Sequence, residues 1–359
     1  MSVAKRPSLS TVAQAAGVST STVSRVASGD LRVAPEIRDH VRAVARKCGL
    51  DLDKRRNEKS TIVAFLLSNR DLLHSFQSHI LLGAESFCAS QNRELLFMSM
   101  RYSPSVPTRE IHLPQILRQR KLVGAVILGG TNSANMLAAL REREIPFAVL
   151  GNNVVGEWDP AEYNAVFSDD IQGAFDVTRH LIGEGHQHIH YIGDVDLPWY
   201  ARCAQGYRKA MTESGLQPRF SEIRSDDRQL GYLATRAILS KGEPLSALFA
   251  GSDQIARGVY EALRQSGLKI PDDVSVVGFN DSEGALMDPP LTSVAEFPEE
   301  LGKHLAAFVL SSVQDPQAAP QQLNIPTRVI VRSSTRRAPG LAAEIGPETR
   351  AGIAESKAI

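Results

Sequence analysis

A short helix, a glycine turn and a second short helix are encoded near the amino terminus, and this pattern most constrains how the chain begins to fold. The apolar residues of the first helix fall on one helical face and are Leu9, Val12, Ala13 and Ala16. Gly17 can adopt the positive φ that ends a helix, and Ser19 is a favoured N-cap for the next helix. The pattern predicts two helices joined by a tight turn.

A third helix is expected to complete this amino-terminal segment. Pro35 and Glu36 are typical of a first helical turn, and Gly49 is placed to close the helix. The residues expected to face inward are Thr22, Val23 and Val26 of the second helix and Ile37, Val41, Val44 and Ala45 of the third. Three short helices with this turn indicate a helix-turn-helix, whose second helix lies in the major groove of DNA.

Several polar side chains of the second helix are expected to face away from the core. Arg25 can bind guanine O6 and N7 together, and Thr20 and Ser21 can contact a base edge or a thymine methyl. We therefore expect base contacts from these three residues, whereas Thr22 and Ser24 are expected mainly to pack and cap. The arginines placed for phosphate contacts are Arg32, Arg38 and Arg42.

The charge of the chain is unevenly distributed. The 359 residues have a formal net charge of zero, but residues 1–60 carry 12 Lys and Arg against six Asp and Glu. On charge alone, a solvated basic face is as good an explanation as a binding surface. Together with the helix-turn-helix pattern, the asymmetry favours a basic head for a polyanion and a separate body.

The motifs Thr11-Val12-Ala13, Ala16-Gly17-Val18-Ser19 and Thr22-Val23-Ser24-Arg25-Val26 give this head its resemblance to a known family. The head resembles that of the lactose-repressor (LacI/GalR) family of bacterial transcriptional regulators. The resemblance implies a homodimer on a pseudo-palindromic double-stranded DNA operator, since one head reads few base pairs. The expected DNA-binding residues are Ser10, Ser19, Thr20, Ser21, Thr22, Arg25, Arg32, Lys54, Arg55 and Arg56.

The joint after the third helix departs from the family pattern. The family has an Ala-Arg-x-Leu element that folds as a helix on DNA and inserts its leucine into the minor groove. Residues 50–61 lack this element, are about four residues shorter, and offer Leu52 as the apolar candidate for a wedge. A solvated tether and phosphate contact are equally open for the basic residues, which are Lys54, Arg55, Arg56 and Lys59. We hypothesise that the joint holds the heads by electrostatics with little or no leucine intercalation.

From Thr61 onward, apolar runs alternate with helical patterns. This alternation indicates an α/β body with parallel sheets covered on both faces, and the number of runs favours two doubly wound lobes. Ligands bind such lobes outside the carboxyl ends of the strands, so two lobes would enclose a cleft. The expected strands are Ile62–Leu67, Leu95–Ser99, Ala125–Leu128, Phe147–Leu150, Ala165–Phe167, Ile189–Ile192, Ala247–Ala250 and Val274–Gly278, and the main helices are Ser78–Gln91, Ile171–Glu184, Arg202–Ser214, Gln229–Leu239, Gln254–Ser266 and Glu299–Ser311.

The body also contains segments similar to family landmarks, including Ser168–Ala174, Leu181–His186, Ile270–Phe279 and Pro289–Val294. The resemblance extends to about residue 335. It implies two lobes of periplasmic sugar-binding-protein type with three crossings, so that the last strands return to the first lobe and then to the second. It also implies effector contacts that suit a polyhydroxylated, sugar-like ligand, at Leu72, His74, Phe76, Trp199, Arg202, Asp253, Asn280 and Glu296.

Three of these positions depart from the family pattern. Cys203 stands where the family usually has arginine, and Arg202 lies one residue earlier. Asn280 replaces the usual first aspartate of Gly-Phe-Asp-Asp, and the loop around His74 is more apolar than in the family. Ligand contact and plain packing are therefore equally open at each cleft position.

Other chemistries are disfavoured by the sequence. It contains no Gly-x-Ser-x-Gly elbow, P-loop or Gly-x-Gly-x-x-Gly motif, so we expect neither an enzyme nor a cofactor. His186, His188 and His190 would span about 13 Å along a strand, too far to share one zinc ion. The acidic pairs Asp169-Asp170 and Asp272-Asp273 are expected to cap turns and helices. The three scattered cysteines, the absence of a long apolar run and the absence of a secretory leader predict a cytoplasmic, nucleoid-associated bacterial protein without a membrane partner.

The sequence thus predicts four segments: a head at 1–49, a charged linker at 50–60, a two-lobed effector-binding domain at 61–335 and a mobile tail at 336–359. The expected function is a sequence-specific transcriptional regulator, a repressor, whose effector shifts DNA affinity by preferring one lobe arrangement. Two alternatives stay open. One is a small-molecule binding protein with a degenerate head, and the other is a constitutive DNA-binding protein without an effector.

Overall fold

The computed structural model describes residues 8–28, 30, 33–50, 52, 62–70, 74–119 and 122–338. The chain divides into two compact units, residues 1–167 with 298–324 and residues 168–297 with 325–359. We call residues 8–52 the head, residues 62–167 with 298–324 lobe 1, and residues 168–297 with 325–338 lobe 2. The chain crosses between the units three times, as the resemblance implied.

The head consists of helices α1 (Leu9–Ala16), α2 (Thr20–Ser28) and α3 (Pro35–Lys47). Ser8 caps α1 by accepting from the amide of Thr11, and Gly17 ends the helix with a φ of 65°. The core of the head is formed mainly by valines and alanines from all three helices, including Val12, Ala13, Val23, Val26, Val41 and Ala45. The prediction that Ile37 faces inward was wrong, because its side chain is 42% exposed.

Lobe 1 is built on a six-stranded sheet whose order is β13-β7-β5-β3-β1-β2. Its strands are β1 (Ile62–Ser68), β2 (Glu94–Met100), β3 (Val123–Gly130), β5 (Phe147–Leu150), β7 (Ala165–Ser168) and β13 (Gln322–Ile325), with a small separate sheet of β4 (Asn132–Ser133) and β6 (Val154–Val155). The helices are α4 (Ser75–Ser90), α5 (Gln115–Arg118), α6 (Ala134–Glu142) and α11 (Pro298–Gln314). The central strands β1, β3 and β5 are parallel and almost wholly buried.

Lobe 2 repeats this plan with the sheet order β14-β12-β11-β10-β8-β9. Its strands are β8 (Ile189–Ile192), β9 (Arg219–Phe220), β10 (Ala247–Ala250), β11 (Ser275–Asn280), β12 (Thr292–Ala295) and β14 (Arg328–Ile330). The helices are α7 (Asp170–Gly183), α8 (Pro198–Glu213), α9 (Asp227–Lys241) and α10 (Asp253–Gln265). Strands β8, β10, β11 and β12 run parallel, and β14 pairs with β12 in the antiparallel sense.

All eight expected strands and all six expected body helices are confirmed, with bounds shifted by a few residues. The sequence pattern missed α6, which Ser133 caps by accepting from the amide of Met136 at 3.3 Å. It also missed β12 to β14 as strands. In each lobe the second strand of the chain lies on one side of the first and the third lies on the other. Such a reversal marks a switch point, where ligands bind doubly wound sheets. Within the described residues, no helix has the length and apolar character needed to cross a membrane.

Candidate DNA-binding face and ligand half-sites

Helix α2 presents a polar face to solvent. Thr20, Ser21 and Arg25 are exposed, whereas Val23 and Val26 on the opposite face are buried at 0% and 1% exposure. The apolar face therefore fixes how the helix is rotated, and the three polar side chains extend from the surface that a helix-turn-helix offers to DNA.

The start of α2 is held by a local hydroxyl network. The amide of Thr22 donates to Oγ of Ser19 at 3.0 Å, which is the N-cap geometry that the sequence predicts. Oγ of Ser19 also lies 2.7 Å from Oγ of Ser21 and 2.8 Å from Oγ1 of Thr22. Ser10 is exposed on α1, with its hydroxyl 2.8 Å from that of Ser8. Ser19 and Thr22 thus stabilise the helix start beside the exposed residues.

The expected basic contacts are only partly described. Arg32, Lys54, Arg55 and Arg56 lie outside the described residues. Arg42, expected at a phosphate, instead donates from both terminal nitrogens to the carboxylate of Glu144. A bidentate, charge-assisted pair of this kind competes with any phosphate for the guanidinium.

Leu52, the candidate wedge, has a different place. Its side chain is 3% exposed and belongs to the apolar core of the head, together with Val12 and Val41. A leucine held there by burial is not available to unstack a base step. The burial of Leu52 agrees with the hypothesis of little or no leucine intercalation.

The switch point of lobe 1 lies between β1 and β3, where Ser68 pairs in register with Gly130. Asn69 follows β1 with a φ of 52°, and its Oδ1 accepts from the amide of Tyr102 at 2.9 Å. The hydroxyl of Tyr102 in turn accepts from the amide of Ser133 at 2.8 Å. These bonds join the loops after β1, β2 and β3 into one polar edge, which we call half-site 1.

Half-site 1 contains buried polar atoms without a hydrogen-bond partner among the described residues. They are Oγ of Ser68 and Oδ1 of Asn132, on side chains that are 0% exposed, and Oε1 of Gln77 in the first turn of α4, on a side chain that is 5% exposed. The amide nitrogen of Asn132 is used, because it donates to the carbonyl of Gly129 at 3.0 Å. Buried acceptors are costly unless a donor reaches them, so this edge suits a ligand that donates hydrogen bonds.

The effector residues expected near this edge lie at the start of α4. His74 is the exposed N-cap residue, and its carbonyl accepts from the amide and the hydroxyl of Ser78 at 2.9 Å and 3.0 Å. Phe76 is half-buried in the first turn. Leu72 lies outside the described residues.

In lobe 2 the switch point lies between β8 and β10, and Asp253 begins α10 directly after β10. Its carboxylate is fully buried and accepts from the hydroxyl of Ser293 at 2.7 Å and from the amide of Glu283 at 2.9 Å. Burial raises the pKa of Asp253 from 3.8 to about 6, against the two hydrogen bonds, which lower it. Asp253 therefore fastens the loop after β11 and the strand β12 to the start of α10.

The remaining expected residues of lobe 2 surround the same edge, which we call half-site 2. Asn280 ends β11 with a φ of 79°, and its Oδ1 accepts from the hydroxyl of Ser282 at 2.8 Å. Trp199 is half-buried near the start of α8, 5.7 Å from the ring of Tyr200. Nε of Arg202 lies 3.4 Å from Oδ2 of Asp170. Glu296 is 8% exposed and accepts from the hydroxyl of Ser168 at 2.5 Å.

Sequence reasoning missed the polar residues at the carboxyl ends of the lobe 1 strands. They are Ser68 at the end of β1, Asn69 directly after it, and Asn132 two residues after β3. Sequence reasoning also treated Asp169 and Asp170 alike. Asp169 is a helix cap that accepts from the amide of Gln172 at 3.3 Å, as expected, but Asp170 is 1% exposed and faces the lobe interior. Neighbouring residues at a helix start point in different directions, so the two carboxyl groups have different surroundings. The sequence pattern did not show which of them was buried.

The histidine motif has no metal-binding geometry. His186 and His190 are buried at 2% exposure, and His186 lies before β8 rather than within it. Burial lowers the pKa of both imidazoles. Among the described residues, no group of His, Cys, Asp and Glu could hold a metal ion.

Comparison with known proteins agrees with this architecture. Residues 8–50 match the model of the bacterial regulatory proteins of the lacI family, and residues 178–335 match the periplasmic binding protein-like domain. The chain is 29% identical over 344 residues to the HTH-type transcriptional regulator DegA of Bacillus subtilis, covering 90% of this chain and 96% of DegA. It is 28% identical over 338 residues to the HTH-type transcriptional repressor CytR of Escherichia coli, covering 91% and 96%.

Solved structures extend the likeness to the whole fold. The complex of the transcriptional regulator CelR with cellobiose is 27% identical, has a TM-score of 0.67, and covers 92% of this chain and all of its own. The lac repressor dimer bound to operator and the anti-inducer ONPF has the same fold, with a TM-score of 0.66, 24% identity, and coverage of 92% of this chain and 100% of its own.

A helix-turn-helix head on two periplasmic-binding-protein-type lobes defines a DNA-binding transcriptional regulator. Its head matches the lacI family of bacterial regulatory proteins, and its homologues DegA, CytR and CelR are regulators of that family.

Proposed function

We propose that this regulator reads a pseudo-palindromic operator through Thr20, Ser21 and Arg25 of α2, as a homodimer, and acts as a repressor. The exposed polar face of α2 in a family head carries this proposal. Arg32 and the linker residues Lys54, Arg55 and Arg56 supply phosphate contacts. In this proposal residues 1–49 bind DNA, residues 50–60 link the head to the body, and residues 61–335 bind the effector. The predicted tail at 336–359 begins with residues held by lobe 2, since the amide of Ala338 donates to the carbonyl of Glu184 at 2.8 Å. Residues 339–359 lie outside the described residues. Such a protein works on the nucleoid in the cytoplasm, without catalysing a reaction.

Binding to an operator selected from random DNA tests the proposed base contacts. Arg25→Ala should weaken binding to the selected sequence by about 10- to 100-fold and relax the preference at one base pair in each half of the operator. A bidentate guanine contact is worth about 1–3 kcal/mol. Arg264→Ala, which removes an exposed arginine of α10, is the control and should leave binding unchanged. Binding without any preferred sequence would instead support a degenerate head.

The effector is proposed to be a saccharide or a related polyhydroxylated metabolite. The unpartnered acceptors of half-site 1 support this, because sugar hydroxyls can donate to Asn132 and Gln77 and exchange hydrogen bonds with Ser68. CelR, a relative with 27% identity over 341 residues, has been solved with cellobiose. In half-site 2, Asn280, Trp199 and Arg202 would face the ligand, and Asp253 would position their loops. Effector then shifts operator affinity by its differential affinity for two arrangements of the lobes.

Ser68→Ala gives a sharp test, because the lost hydroxyl has no partner in the described structure. We expect its thermal stability to be unchanged or slightly higher, while saccharide affinity falls by about tenfold, the value of one lost hydrogen bond. Ser90→Ala at the exposed end of α4 is the matched control. A panel of mono- and disaccharides that includes cellobiose and ribose should contain a compound that shifts the melting temperature and releases operator. A constitutive regulator would respond to none.

A further inference from the structure

The lobe 2 ends of the three chain crossings are hydrogen-bonded to one another. Ser168 is the first residue of lobe 2 after the first crossing, Glu296 lies two residues before Pro298, and Ile325 follows the last crossing. The amide of Asp169 donates to the carbonyl of Ile325 at 3.0 Å, and the hydroxyl of Ser168 lies 2.5 Å from Oε1 of Glu296. Ser168 and Asp169, at the first crossing, are therefore hydrogen-bonded to residues at both of the other crossings.

The hydroxyl of Ser168 contacts two carboxyl groups, those of Glu296 and Asp170. Oγ of Ser168 is also within hydrogen-bond distance of Oδ1 of Asp170, so the carboxyl groups of Asp170 and Glu296 meet at one hydroxyl. A hydroxyl has one proton to donate, and two ionised carboxylates can only accept. The three groups can satisfy one another only when the carboxyl pair holds a proton. Both side chains are buried, at 1% and 8% exposure, so two negative charges there would be costly.

The surrounding charges decide where this proton is held. Arg202 of α8 approaches Asp170, with Nε 3.4 Å from Oδ2, which favours the ionised form of Asp170. Three groups surround Glu296. They are Asp170 on α7, Asp253 on α10 and the thiol of Cys203 on α8. Burial raises the pKa of Glu296 well above its usual range, and the charge of Asp170 raises it further. These surroundings favour holding the shared proton on Glu296.

We propose that Ser168, Asp170 and Glu296 form a proton-dependent tie that holds the chain crossings together, and that loss of the shared proton loosens them. Two adjacent buried carboxylates repel, and no proton is then shared between them. The crossings are the segments through which any relative movement of the lobes must pass. The tie thus makes the conformational freedom of this regulator depend on pH, whatever its operator or effector.

Infrared spectroscopy of the full-length protein tests for the shared proton. At neutral pH the wild-type protein should show the carbonyl stretch of a protonated carboxylic acid. The band should disappear in Glu296→Gln and in Asp170→Asn, since the side-chain amide then supplies the proton to the remaining carboxylate. Glu213→Gln, which changes an exposed carboxyl of α8, should keep the band. Absence of the band from the wild-type protein, or its persistence in both amide variants, would overturn the proposal.

Hydrogen exchange tests the mechanical part. Protection of the amides in residues 168–170 and 295–297 should fall in the wild-type protein as rising pH removes the proton. Glu296→Gln keeps a permanent donor, so its protection factors should not change with pH, and Ser168→Ala should lower protection at every pH. Equal pH dependence in the wild-type protein and Glu296→Gln would refute the tie. These measurements need neither DNA nor saccharide, so they can fail or succeed independently of the proposed function.

Discussion

Gly83 and Gly302 let helices α4 and α11 of lobe 1 touch backbone to backbone. A Cβ on Gly83 would lie 2.0 Å from the carbonyl oxygen of Glu299, and one on Gly302 would lie 1.9 Å from that of Ile80. Each glycine therefore makes room for the backbone of the opposite helix. Lobe 2 repeats the arrangement with Gly231 and Gly258 between α9 and α10.

Adding a methyl group at this contact should force the helices apart. We expect Gly83→Ala or Gly302→Ala to lower the free energy of unfolding by about 1–3 kcal/mol or more, because backbone cannot move aside as a flexible side chain can. Gly183→Ala is the control, since nothing lies within 4 Å of its added Cβ at the end of α7. It should gain about 0.5–1 kcal/mol from helix propensity. Urea denaturation measures both, and equal stability of the two kinds of variant would contradict this packing.

Burial of Asp253 should make stability depend on pH. Its pKa is raised from 3.8 to about 6 in the folded protein, so between about pH 4 and 6 the unfolded chain releases a proton that the native state keeps. The contribution of Asp253 is thus most favourable below pH 4 and falls as pH rises, by at most about 3 kcal/mol. Unfolding free energies of the wild-type protein and Asp253→Asn should differ by a pH-dependent amount that changes within this window. A difference that is constant from pH 4 to 7 would show that Asp253 does not titrate as stated.

Leu52 should matter for stability of the head and little for bending of DNA. Leu52→Ala removes a buried side chain and should cost about 2–5 kcal/mol, seen as faster amide exchange throughout α1 to α3. Ile37→Ala, at an exposed apolar position of the same head, should change stability by about 0.5 kcal/mol or less. Circular permutation of the bound operator should show no sharp central kink in the wild-type protein. A kink that is present with the wild-type protein and lost with Leu52→Ala would show that Leu52 inserts into the DNA.

The N-cap of α2 gives a fourth expectation. Ser19→Ala removes the acceptor for the amide of Thr22 and should destabilise the head by about 1 kcal/mol, with faster exchange at the first turn of α2. Ser24→Ala, on the exposed side of the same helix, should be neutral. Operator affinity should fall for Ser19→Ala through fraying of the segment that carries Thr20 and Ser21. Equal exchange rates in the two variants would show that the cap is dispensable.

Much of the fold could be predicted because its signals are local. The helix stripe of Leu9 to Ala16, the left-handed Gly17 and the capping Ser19 act within a few residues, and the structure confirms them. The same holds for the buried parallel strands, whose continuous apolar runs are visible in the sequence. Prediction failed where an apolar residue could either face the core or remain exposed, as at Ile37. Ile37 and Leu52 are both apolar residues of the head, yet one is exposed and the other is buried.

By itself, the sequence determined that this chain has a helix-turn-helix head of the lacI type and two α/β lobes, because periodicity, caps and motifs depend on residues close together in the chain. Only the tertiary structure decided which polar groups meet. It brought Ser168, Asp170 and Glu296 together across more than a hundred residues. It left Oγ of Ser68 and Oδ1 of Asn132 buried without hydrogen-bond partners among the described residues. Hydrogen bonding and burial act through space, so the candidate binding chemistry emerges only when strands from distant segments end at the same edge.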